Sequence, residues 1–441
     1  MPTAPSTSTT PVPSPASCAA PRATPPGPRR RASALSTPVR PPRPPRVASP
    51  GSSEAIIAEP ASVPQAPAYG GGALSDVLPS VAAALGEEGF ENTLRLPAAN
   101  RAVVVLVDGL GARLLKRFAS YAPTLRAAQQ APGSTQLDTV FPTTTAAALT
   151  SLATGLTPGE HGIVGYDSFD PQRRRVVNQL GGWPGDLDPE AWQPLSTVLE
   201  TLAPRRGVFT VSRPKFRSSA LTRAGLRGGE FVEATGPGAR VRATLETLRA
   251  NKDALVYLYW DDLDKAGHAH GVDSDAWLHA LEELDSSMRR LVAGVSPNTL
   301  VLLTADHGMV DVPPSGRLDY SAFPELLGGV EFTSGEPRGV QLHFEQGASD
   351  ATREETARAW RERFGERVWV LTREEAIGAG LFGPTVREGV AGRIGDLLIL
   401  TRDELALYDT RRASPNAMAM VGQHGSLTPV ERKVPLLRLA G

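Results

Sequence analysis

The sequence has almost no cysteine, and this scarcity excludes two kinds of structural support. Cys18 is the single cysteine among 441 residues. A chain with one thiol cannot form an internal disulfide, and a structural zinc site built on thiolates needs several of them. Any metal ion bound by this chain must therefore be held by histidine and carboxylate side chains.

The sequence also lacks a strong net charge and long apolar runs. Its 46 Lys and Arg residues balance 47 Asp and Glu residues, for a formal net charge of -1. Proteins that bind nucleic-acid polymers or membrane surfaces usually present a basic face, so we expect neither partner. The longest apolar runs, at 102–107 and 300–303, are far shorter than the roughly 20 residues of a membrane-spanning helix.

The N-terminal region, residues 1–70, is nearly free of aromatic side chains and rich in Pro, Ser, Thr, Ala and Arg. Such a composition buries too little apolar surface to offset the entropy of ordering, which predicts a disordered tail. Its PPRPPR motif at 41–46 can bind a partner as polyproline II, although a solvated tail without a specific role is commoner. The tail has no basic start followed by an apolar stretch, so we expect no secretory signal and a cytoplasmic protein.

Residues 73–441 show the alternation of strands and helices that is typical of an α/β fold. The sequence ALSDVLPSVAAAL predicts a first helix with Ser75 as its cap. Further helical patterns lie between valine- and leucine-rich runs that are typical of buried parallel strands. The strands are predicted at 101–108, 207–211, 254–260, 298–305 and 395–400, and the helices at 112–130, 239–250 and 273–294. This pattern predicts one α/β domain with a mostly parallel central sheet.

Acidic residues follow three of these predicted strands. Asp108 follows the first, Asp306 and His307 follow the fourth, and Asp264 belongs to an acidic cluster after the third, ahead of His268. Ligands of open α/β sheets bind beyond the carboxyl ends of the strands, so the three acidic ends are expected to converge. One such aspartate alone usually caps a turn, but three together, two with a nearby histidine, are less ordinary.

Histidines next to glycine complete a candidate metal site. Of the seven histidines, His268, His307 and His424 each have a glycine neighbour in a loop-like context. Glycine lets the backbone turn sharply and approach a ligand closely. His279 and His343 lie in a predicted helix and strand and are expected to be structural, while the sequence leaves the roles of the remaining two, His161 and His270, open. Aspartate and neutral imidazole are ligands expected for zinc or a similar divalent ion.

A run of threonines precedes a strong helix-forming segment. Thr143, Thr144 and Thr145 follow Pro142 and precede AAALTSLAT. Thr145 is therefore expected near a helix N-terminus, where backbone amides and the helix dipole favour anionic groups. Threonine is an ordinary helix cap, but beside metal ligands its hydroxyl becomes a candidate nucleophile.

Five of these stretches together resemble the type I phosphodiesterase and nucleotide pyrophosphatase family of the alkaline phosphatase superfamily. They occur in the family's order over about 320 residues: VVVLVDGL (103–110), FPTTTAAALTSLATGLTPGEHGIVGY (141–166), DLDKAGHAHG (262–271), LTADHGM (303–309) and GQHGS (422–426). The resemblance implies an alkaline-phosphatase-like layered fold over 73–441, a small phosphate-ester substrate and two divalent metal ions, with zinc expected.

The resemblance also assigns roles. It makes Thr145 the nucleophile, which attacks phosphorus in line, and the resulting phosphothreonine is then hydrolysed by water. It divides the ligands between two ions, one held by Asp108, Thr145, Asp306 and His307, and the other held by Asp264, His268 and His424. In the family pattern His161 is structural. The glycines Gly109 and Gly308 are expected to let the ligand loops pass close to the ions.

The chain departs from the family after the nucleophile, where phosphodiesterases of the family usually have F-P-N and this chain has Ala146-Ala147-Ala148. The family asparagine contacts a phosphate oxygen, which Ala148 cannot do, so two alternatives on the same scaffold stay open: a phosphomonoesterase and a phosphonate hydrolase. A third alternative is an inactive metal-binding interaction protein, against which the intact ligand set argues.

The side chains in 167–235 that can line the pocket are Trp183, Trp192, Lys215 and Phe216.

Overall fold

The structure is a computed structural model that describes residues 63–441. Residues 1–62 of the tail predicted over 1–70, including the PPRPPR motif, lie outside the described residues. The described part contains the strands β1 (Arg101–Val107), β2 (Thr135–Asp138), β3 (Asp167–Asp170), β4 (Arg175–Asn178), β5 (Gly207–Ser212), β6 (Glu230–Glu233), β7 (Ala254–Trp260), β8 (Thr299–Thr304), β9 (Val310–Asp311), β10 (Arg317–Asp319), β11 (Val330–Glu336), β12 (Gly339–Phe344), β13 (Val368–Thr372), β14 (Leu397–Thr401), β15 (Ala406–Tyr408), β16 (Gly422–Gln423) and β17 (Lys433–Ala440).

Its helices are α1 (Val77–Ala84), α2 (Ala112–Arg117), α3 (Pro123–Gln130), α4 (Thr145–Thr154), α5 (Pro158–His161), α6 (Pro189–Trp192), α7 (Val198–Leu202), α8 (Ala220–Gly225), α9 (Pro237–Ala250), α10 (Asp262–His270), α11 (Asp275–Gly294), α12 (Asp350–Phe364), α13 (Arg373–Gly378), α14 (Pro415–Ala419) and α15 (Pro429–Arg432).

A seven-stranded sheet forms the centre, in the order β2-β17-β8-β1-β7-β5-β6. The strands from β8 to β6 pair in parallel, and β17 pairs antiparallel with β8 and β2. All seven residues of β7 and all six of β8 are buried, as expected for apolar strands covered on both faces. One group of helices around α11 contacts α3, α9 and α10, and a second around α4 contacts α1, α7 and α8. The predicted α/β class and mostly parallel sheet are confirmed.

A smaller antiparallel sheet corrects one of the strand predictions. The run at 395–400 was expected among the parallel strands, but β14 pairs antiparallel with β12 and β13 in a four-stranded sheet of order β11-β12-β14-β13. A continuous apolar run indicates burial on both faces, and burial alone does not say which sheet a strand joins. The antiparallel pair of β9 with β16 brackets this part of the chain.

Two helix predictions also need correction. The helix expected over 112–130 is divided into α2 and α3, because Pro123 has no amide hydrogen and disfavours a helical conformation at Ala122. Ser75 does not cap α1. It lies in a short 3-10 turn instead, and the Asp76 carboxylate accepts hydrogen bonds from the backbone amides of Gly72 (2.8 Å) and Ala73 (2.9 Å).

The segment 63–69, which was expected to belong to the tail, makes specific contacts with the domain. The Tyr69 hydroxyl donates to the Leu381 carbonyl (2.8 Å) and accepts from the Phe141 amide (3.1 Å). Upstream of it, the Gln65 carbonyl accepts from Arg432 (2.8 Å). These contacts show that residues ahead of Ala73 also pack on the domain.

Among residues 63–441, the helices are all too short or too polar to cross a lipid bilayer. The expected cytoplasmic location stays a prediction.

Candidate metal centre and active site

Three adjacent parallel strands bring the predicted acidic residues to one edge of the central sheet. Strand β1 lies between β7 and β8, and the chain leaves all three strands on the same side. Asp108 follows β1, and Asp306 and His307 follow β8. After β7, helix α10 carries Asp264 and His268 four residues apart, so both side chains lie on one helix face.

The remaining two predicted residues reach this edge from other elements. Thr145 is the first residue of α4, as the sequence predicted, and Thr144 is its cap, with an extended backbone and no side-chain capping bond. His424 follows β16, the short strand that pairs with β9 just beyond His307.

The seven predicted side chains form two adjoining groups. Thr145 Oγ1 lies 3.3 Å from His307 Nε2, which is 3.4 Å from Asp108 Oδ1 and 3.5 Å from Asp306 Oδ2. In the other group, Asp264 Oδ1 lies 3.3 Å from His268 Nε2. Potential ligand atoms lie within 4.8 Å of one another in two sets: Asp264, His268 and His424; and Asp108, Asp264 and His307. The structure therefore brings together all seven residues predicted as metal ligands or nucleophile, and Asp264 lies between the two groups.

Each histidine of the cluster is oriented by a backbone carbonyl. His268 Nδ1 lies 2.8 Å from the Gly422 oxygen, His307 Nδ1 lies 3.0 Å from the Gly308 oxygen, and His424 Nδ1 lies 2.8 Å from the Thr143 oxygen. A carbonyl can only accept, so Nδ1 carries the proton and the Nε2 lone pair is available to a metal ion. Metal-binding histidines are commonly held in this way.

The aspartates divide their oxygens between support and the cluster. Asp306 Oδ1 accepts from the amides of Gly109 (3.1 Å) and His307 (3.0 Å), and one oxygen of Asp108 accepts from the Tyr259 hydroxyl. The other oxygens of Asp108 and Asp306, and Oδ1 of Asp264, are buried without a hydrogen-bond partner in the described chain. Buried carboxylate oxygens without partners are costly, so their arrangement around one space fits a bound cation.

The electrostatics of the cluster also indicates a bound cation. Burial, and then the nearby Asp306, raises the pKa of Asp108 well above its usual range. Burial and then Asp108 raise the pKa of Asp264 to about 7. Burial lowers the pKa of His307 to about 4 and that of His424 well below its ordinary value. Crowded carboxylates and neutral imidazoles are a donor set that divalent cations stabilise.

Two glycines make the close packing of the ligand loops possible, as predicted. Gly109 has a φ of 76°, which favours glycine, and a side chain there would press on the Asp264 backbone. A side chain at Gly308 would collide with the Val430 carbonyl oxygen. Both glycines are next to candidate ligands.

The metal centre forms one end of a cavity of about 600 Å³. Lys215 and Phe216 line it, as expected, whereas Trp183 and Trp192 pack edge to face elsewhere, with ring centroids 5.9 Å apart. The cavity is also lined by side chains that the sequence did not single out: Tyr166, Asn178, Tyr320, Glu336, Tyr408, Asp409 and Arg412.

The other four histidines lie outside the metal-ligand cluster. His161 is buried, accepts at Nδ1 from the Ile163 amide (3.1 Å), and has Nε2 2.7 Å from Ser151 Oγ, which makes it structural. His343 is buried against Phe169, and His279 is exposed on α11, so the expected structural role fits His343 but not His279. His270 is exposed at the end of α10, outside the cluster.

Sequence reasoning missed Tyr259 and Arg338. Tyr259 lies in β7, where an aromatic residue in an apolar run is usually part of the core. Arg338 is fully buried and forms a two-pronged ion pair with Glu431 (2.7 and 2.9 Å), whose Oε1 accepts from the Ser426 amide in the His424 loop. No local pattern pairs residues that are 93 positions apart.

The fold and the site define an α/β protein with a histidine and carboxylate metal centre at the carboxyl edge of its sheet and a threonine at a helix N-terminus. The chain belongs to the type I phosphodiesterase / nucleotide pyrophosphatase family, whose model matches residues 102–427. This family is metal-dependent and its members hydrolyse phosphoric ester bonds, so the predicted family and enzyme class are confirmed.

Two solved structures share the fold. A murine ectonucleotide pyrophosphatase / phosphodiesterase 5, in an inactive form in complex with AMP, is 17% identical with a TM-score of 0.60, over 77% of this chain and 87% of the other. A phosphonoacetate hydrolase from Sinorhizobium meliloti, in complex with phosphonoformate, is 20% identical with a TM-score of 0.60, over 78% and 91%. The alkaline-phosphatase-like fold is thereby confirmed.

Curated relatives match over shorter stretches. Phosphopentomutase of Sodalis glossinidius is 32% identical over 116 residues, which are 26% of this chain and 28% of that protein. Phosphopentomutase of Yersinia enterocolitica is 29% identical over 143 residues, 32% of this chain and 34% of that protein. The chain thus spans about a quarter to a third of the length of these relatives.

Proposed function

We propose that this protein is a two-metal phosphodiesterase in which Thr145 is the nucleophile. The observation that carries the proposal is the position of Thr145, at the start of α4 and 3.3 Å from His307, in a cavity shared with both groups of candidate ligands. A threonine hydroxyl is a weak nucleophile unless its surroundings activate it, and this surrounding is built of metal-binding side chains.

The ligand sets follow the two groups of side chains. Asp108, Thr145, Asp306 and His307 would hold one ion, and Asp264, His268 and His424 would hold the other. When bound, two divalent ions supply Lewis acidity that activates a hydroxyl and stabilises the attacking and leaving oxygens. We propose zinc, because the donors are carboxylate and imidazole with no thiolate, while manganese and iron suit the same donors.

The chain's own groups position the phosphate. The first-turn amides of α4 have no side-chain cap, so they are free to bind the non-bridging oxygens of a phosphate in front of Thr145. Thr145 Oγ1 bonds to phosphorus as the bond to the first alcohol breaks in line. Water then displaces Thr145 from phosphorus, which releases the product and restores the hydroxyl.

The charge of the cavity favours a diester over a monoester. A phosphomonoester carries nearly two negative charges near pH 7, and its enzymes tend to supply cations beyond the metal ions. Three cationic side chains line the cavity, and two of them are neutralised: Lys265 is paired with Asp261, and Arg412 is paired with Asp167 (2.7 Å). Lys215 has no ion pair within the described residues and lies over the Phe216 ring, 4.7 Å from its centroid, so one cation is left to meet the single charge of a diester. Ala148 is buried within α4 and does not line the cavity, so it neither supplies nor blocks a phosphate contact.

Replacement of Thr145 tests the nucleophile. We expect Thr145→Ala to lower kcat by about a thousandfold or more, because the covalent step is lost, while the melting temperature shifts by only a few degrees. Thr144→Ala, one residue away in the same cavity, is expected to lower kcat by less than about tenfold. Near-normal turnover by Thr145→Ala on a chromogenic diester would disprove the covalent mechanism.

The substrate class is tested with two chromogenic esters. We expect metal-replete protein to hydrolyse bis(4-nitrophenyl) phosphate with a kcat/KM about tenfold higher than that for 4-nitrophenyl phosphate, equivalent to about 1.4 kcal/mol. The reverse preference would make the protein a monoesterase. Turnover of neither ester, with release of phosphate from a phosphonate, would favour the phosphonate-hydrolase alternative.

A further inference from the structure

Glu336 is a buried carboxyl group on the cavity wall with no partner in the described chain. It is the last residue of β11, it is 6% exposed, and its side chain faces the cavity that contains Thr145. Neither of its carboxylate oxygens has a hydrogen-bond partner at normal distance and angle among the described residues, although the Thr144 side chain lies close enough to favour the charged form. Buried carboxyl groups are normally paired or hydrogen-bonded. A molecule bound in the cavity can supply the hydrogen bond that Glu336 lacks.

Two other carboxylates that line the cavity have their partners within the protein. Asp167 accepts from Arg412 (2.7 Å) and from Asn178 (2.9 Å). Asp409 accepts from Arg411 (2.7 Å) and from the Thr333 hydroxyl (2.7 Å). The cationic groups near Glu336 are thus already used by its neighbours, which distinguishes Glu336 from a carboxylate in a structural ion pair.

Burial makes a carboxyl group at this position costly to the fold. The Glu336 side chain packs against Gly425, where a side chain would collide with it. Burial raises the pKa of Glu336 to about 8, although the nearby Thr144 side chain offsets part of this effect. An apolar side chain of the same length would fill the space without this cost, since a buried unpaired polar group destabilises a protein.

We propose that Glu336 accepts a hydrogen bond from a donor, an N–H or O–H group, on the organic part of the substrate. This inference rests on the proposed function, because it assigns a substrate contact within the same cavity. The Glu336 side chain packs against Gly425, the neighbour of the candidate ligand His424, in the cavity that Thr145 lines, so the donor must lie close to phosphorus. An amine or hydroxyl two carbons from the ester oxygen meets this condition.

Three matched diesters test the proposal: the 2-aminoethyl, 2-hydroxyethyl and propyl esters of 4-nitrophenyl phosphate. Each releases nitrophenolate. Because the 2-hydroxyl can itself attack phosphorus and displace nitrophenolate, the turnover of each ester by Thr145→Ala is measured as a blank and subtracted. For the wild type we expect the kcat/KM of one or both donor-bearing esters to exceed that of the propyl ester by about tenfold. The aminoethyl and hydroxyethyl esters show whether a cationic or a neutral donor is preferred.

Glu336→Met, which keeps the length of the side chain and removes the acceptor, is expected to abolish this selectivity. It should fold at least as stably as the wild type, because an unpaired buried carboxyl is removed. Asp409→Asn is the matched control, since Asp409 lines the same cavity but has its partners within the protein, and it should leave the selectivity ratio unchanged.

Two results would overturn the inference. One is a wild-type enzyme that hydrolyses all three esters equally well, and the other is an equal loss on all three esters in Glu336→Met, which would indicate a contact to the phosphate or a structural role. Failure of the wild type to hydrolyse even the propyl ester and bis(4-nitrophenyl) phosphate would instead count against the proposed function itself.

Discussion

Three histidines of this protein, His161, His307 and His424, are kept neutral for two different reasons. His307 and His424 are neutral beside carboxylates that can share a metal ion with them, and their Nε2 atoms face the cluster. His161 is neutral because it is fully buried between α4 and the following loop, and both of its ring nitrogens have hydrogen-bond partners. His307 and His424 are thus neutral in a way that suits metal binding, and the neutral His161 contributes to the packing of the fold.

The buried His161 gives the stability of the protein a pH dependence of known sign. Burial, and then Arg387 and Arg393, lower its pKa from 6.5 to about 3. The unfolded chain therefore binds a proton below about pH 6.5 that the folded chain refuses until about pH 3, so the stability is full above this window and falls as the pH decreases through it. Between pH 7.5 and 5.5, His161 should account for a loss of about 1.4 kcal/mol.

Urea unfolding of the wild type and of His161→Gln at these two pH values measures this contribution. The loss of unfolding free energy between pH 7.5 and 5.5 should be smaller in the variant by about the amount given. Equal losses in both proteins would mean that His161 is protonated in the folded state.

The ligand residues could be read from the sequence because each lies in a short local pattern. Asp108 and Asp306 end apolar strands, and Asp264 and His268 are spaced by one helical turn. Glu336 has no such pattern, because its surroundings come from segments distant in the chain, at Thr144 and Gly425. Its environment is created by tertiary packing, which a single sequence does not display.

At the scale of elements, the segment 63–69 is a strap that is hydrogen-bonded to the surface of the domain. Its composition resembles that of the tail before it, and this explains why the sequence placed it there. Two specific hydrogen bonds of one hydroxyl, that of Tyr69, hold it to Leu381 and Phe141. Composition predicts how much apolar surface a segment can bury, but not whether one tyrosine finds a site.

We expect Tyr69→Phe to lower the free energy of unfolding by about 2 kcal/mol, because the Leu381 carbonyl and the Phe141 amide lose their partner. Tyr121→Phe, at a tyrosine that is 40% exposed, is a matched control and should change stability by less than about 0.5 kcal/mol. Chemical denaturation measures both. An equal effect of the two substitutions would show that the strap contributes no specific stability.

The same element sets a limit for truncation. A chain that starts at residue 63 should keep the kinetics of the full-length protein, since the strap is intact. A chain that starts at Ala73 should unfold at a lower temperature. The sequence alone placed the limit later, at 73, because it had no signal for the contacts of 63–69.

For the whole molecule, metal binding and folding should be coupled. The ligands come from the ends of three strands and from helices and loops across the chain, so the site exists only in the folded protein. A ligand that binds only the folded state stabilises it, by about 2.7 kcal/mol at a hundred times its dissociation constant. Chelation should therefore lower both the melting temperature and the activity.

Calorimetry with and without chelator, followed by addition of zinc or manganese, checks this coupling. His424→Ala should reduce the metal content, measured by elemental analysis, from two ions per chain towards one. Two ions retained in that variant would remove His424 from the site, and an unchanged melting temperature after verified metal removal would contradict the coupling.

The pairing of β9 with β16 has an evolutionary consequence. Everything between these two short strands, including the smaller sheet and Glu336, is inserted between the loops of His307 and His424. Much of the wall that would contact the organic part of a substrate therefore belongs to one inserted segment, while the phosphate-binding part is built around the central sheet. Substitutions in this segment can change the wall without moving the nucleophile, provided that the ion pair between Arg338 in the segment and Glu431 outside it is kept.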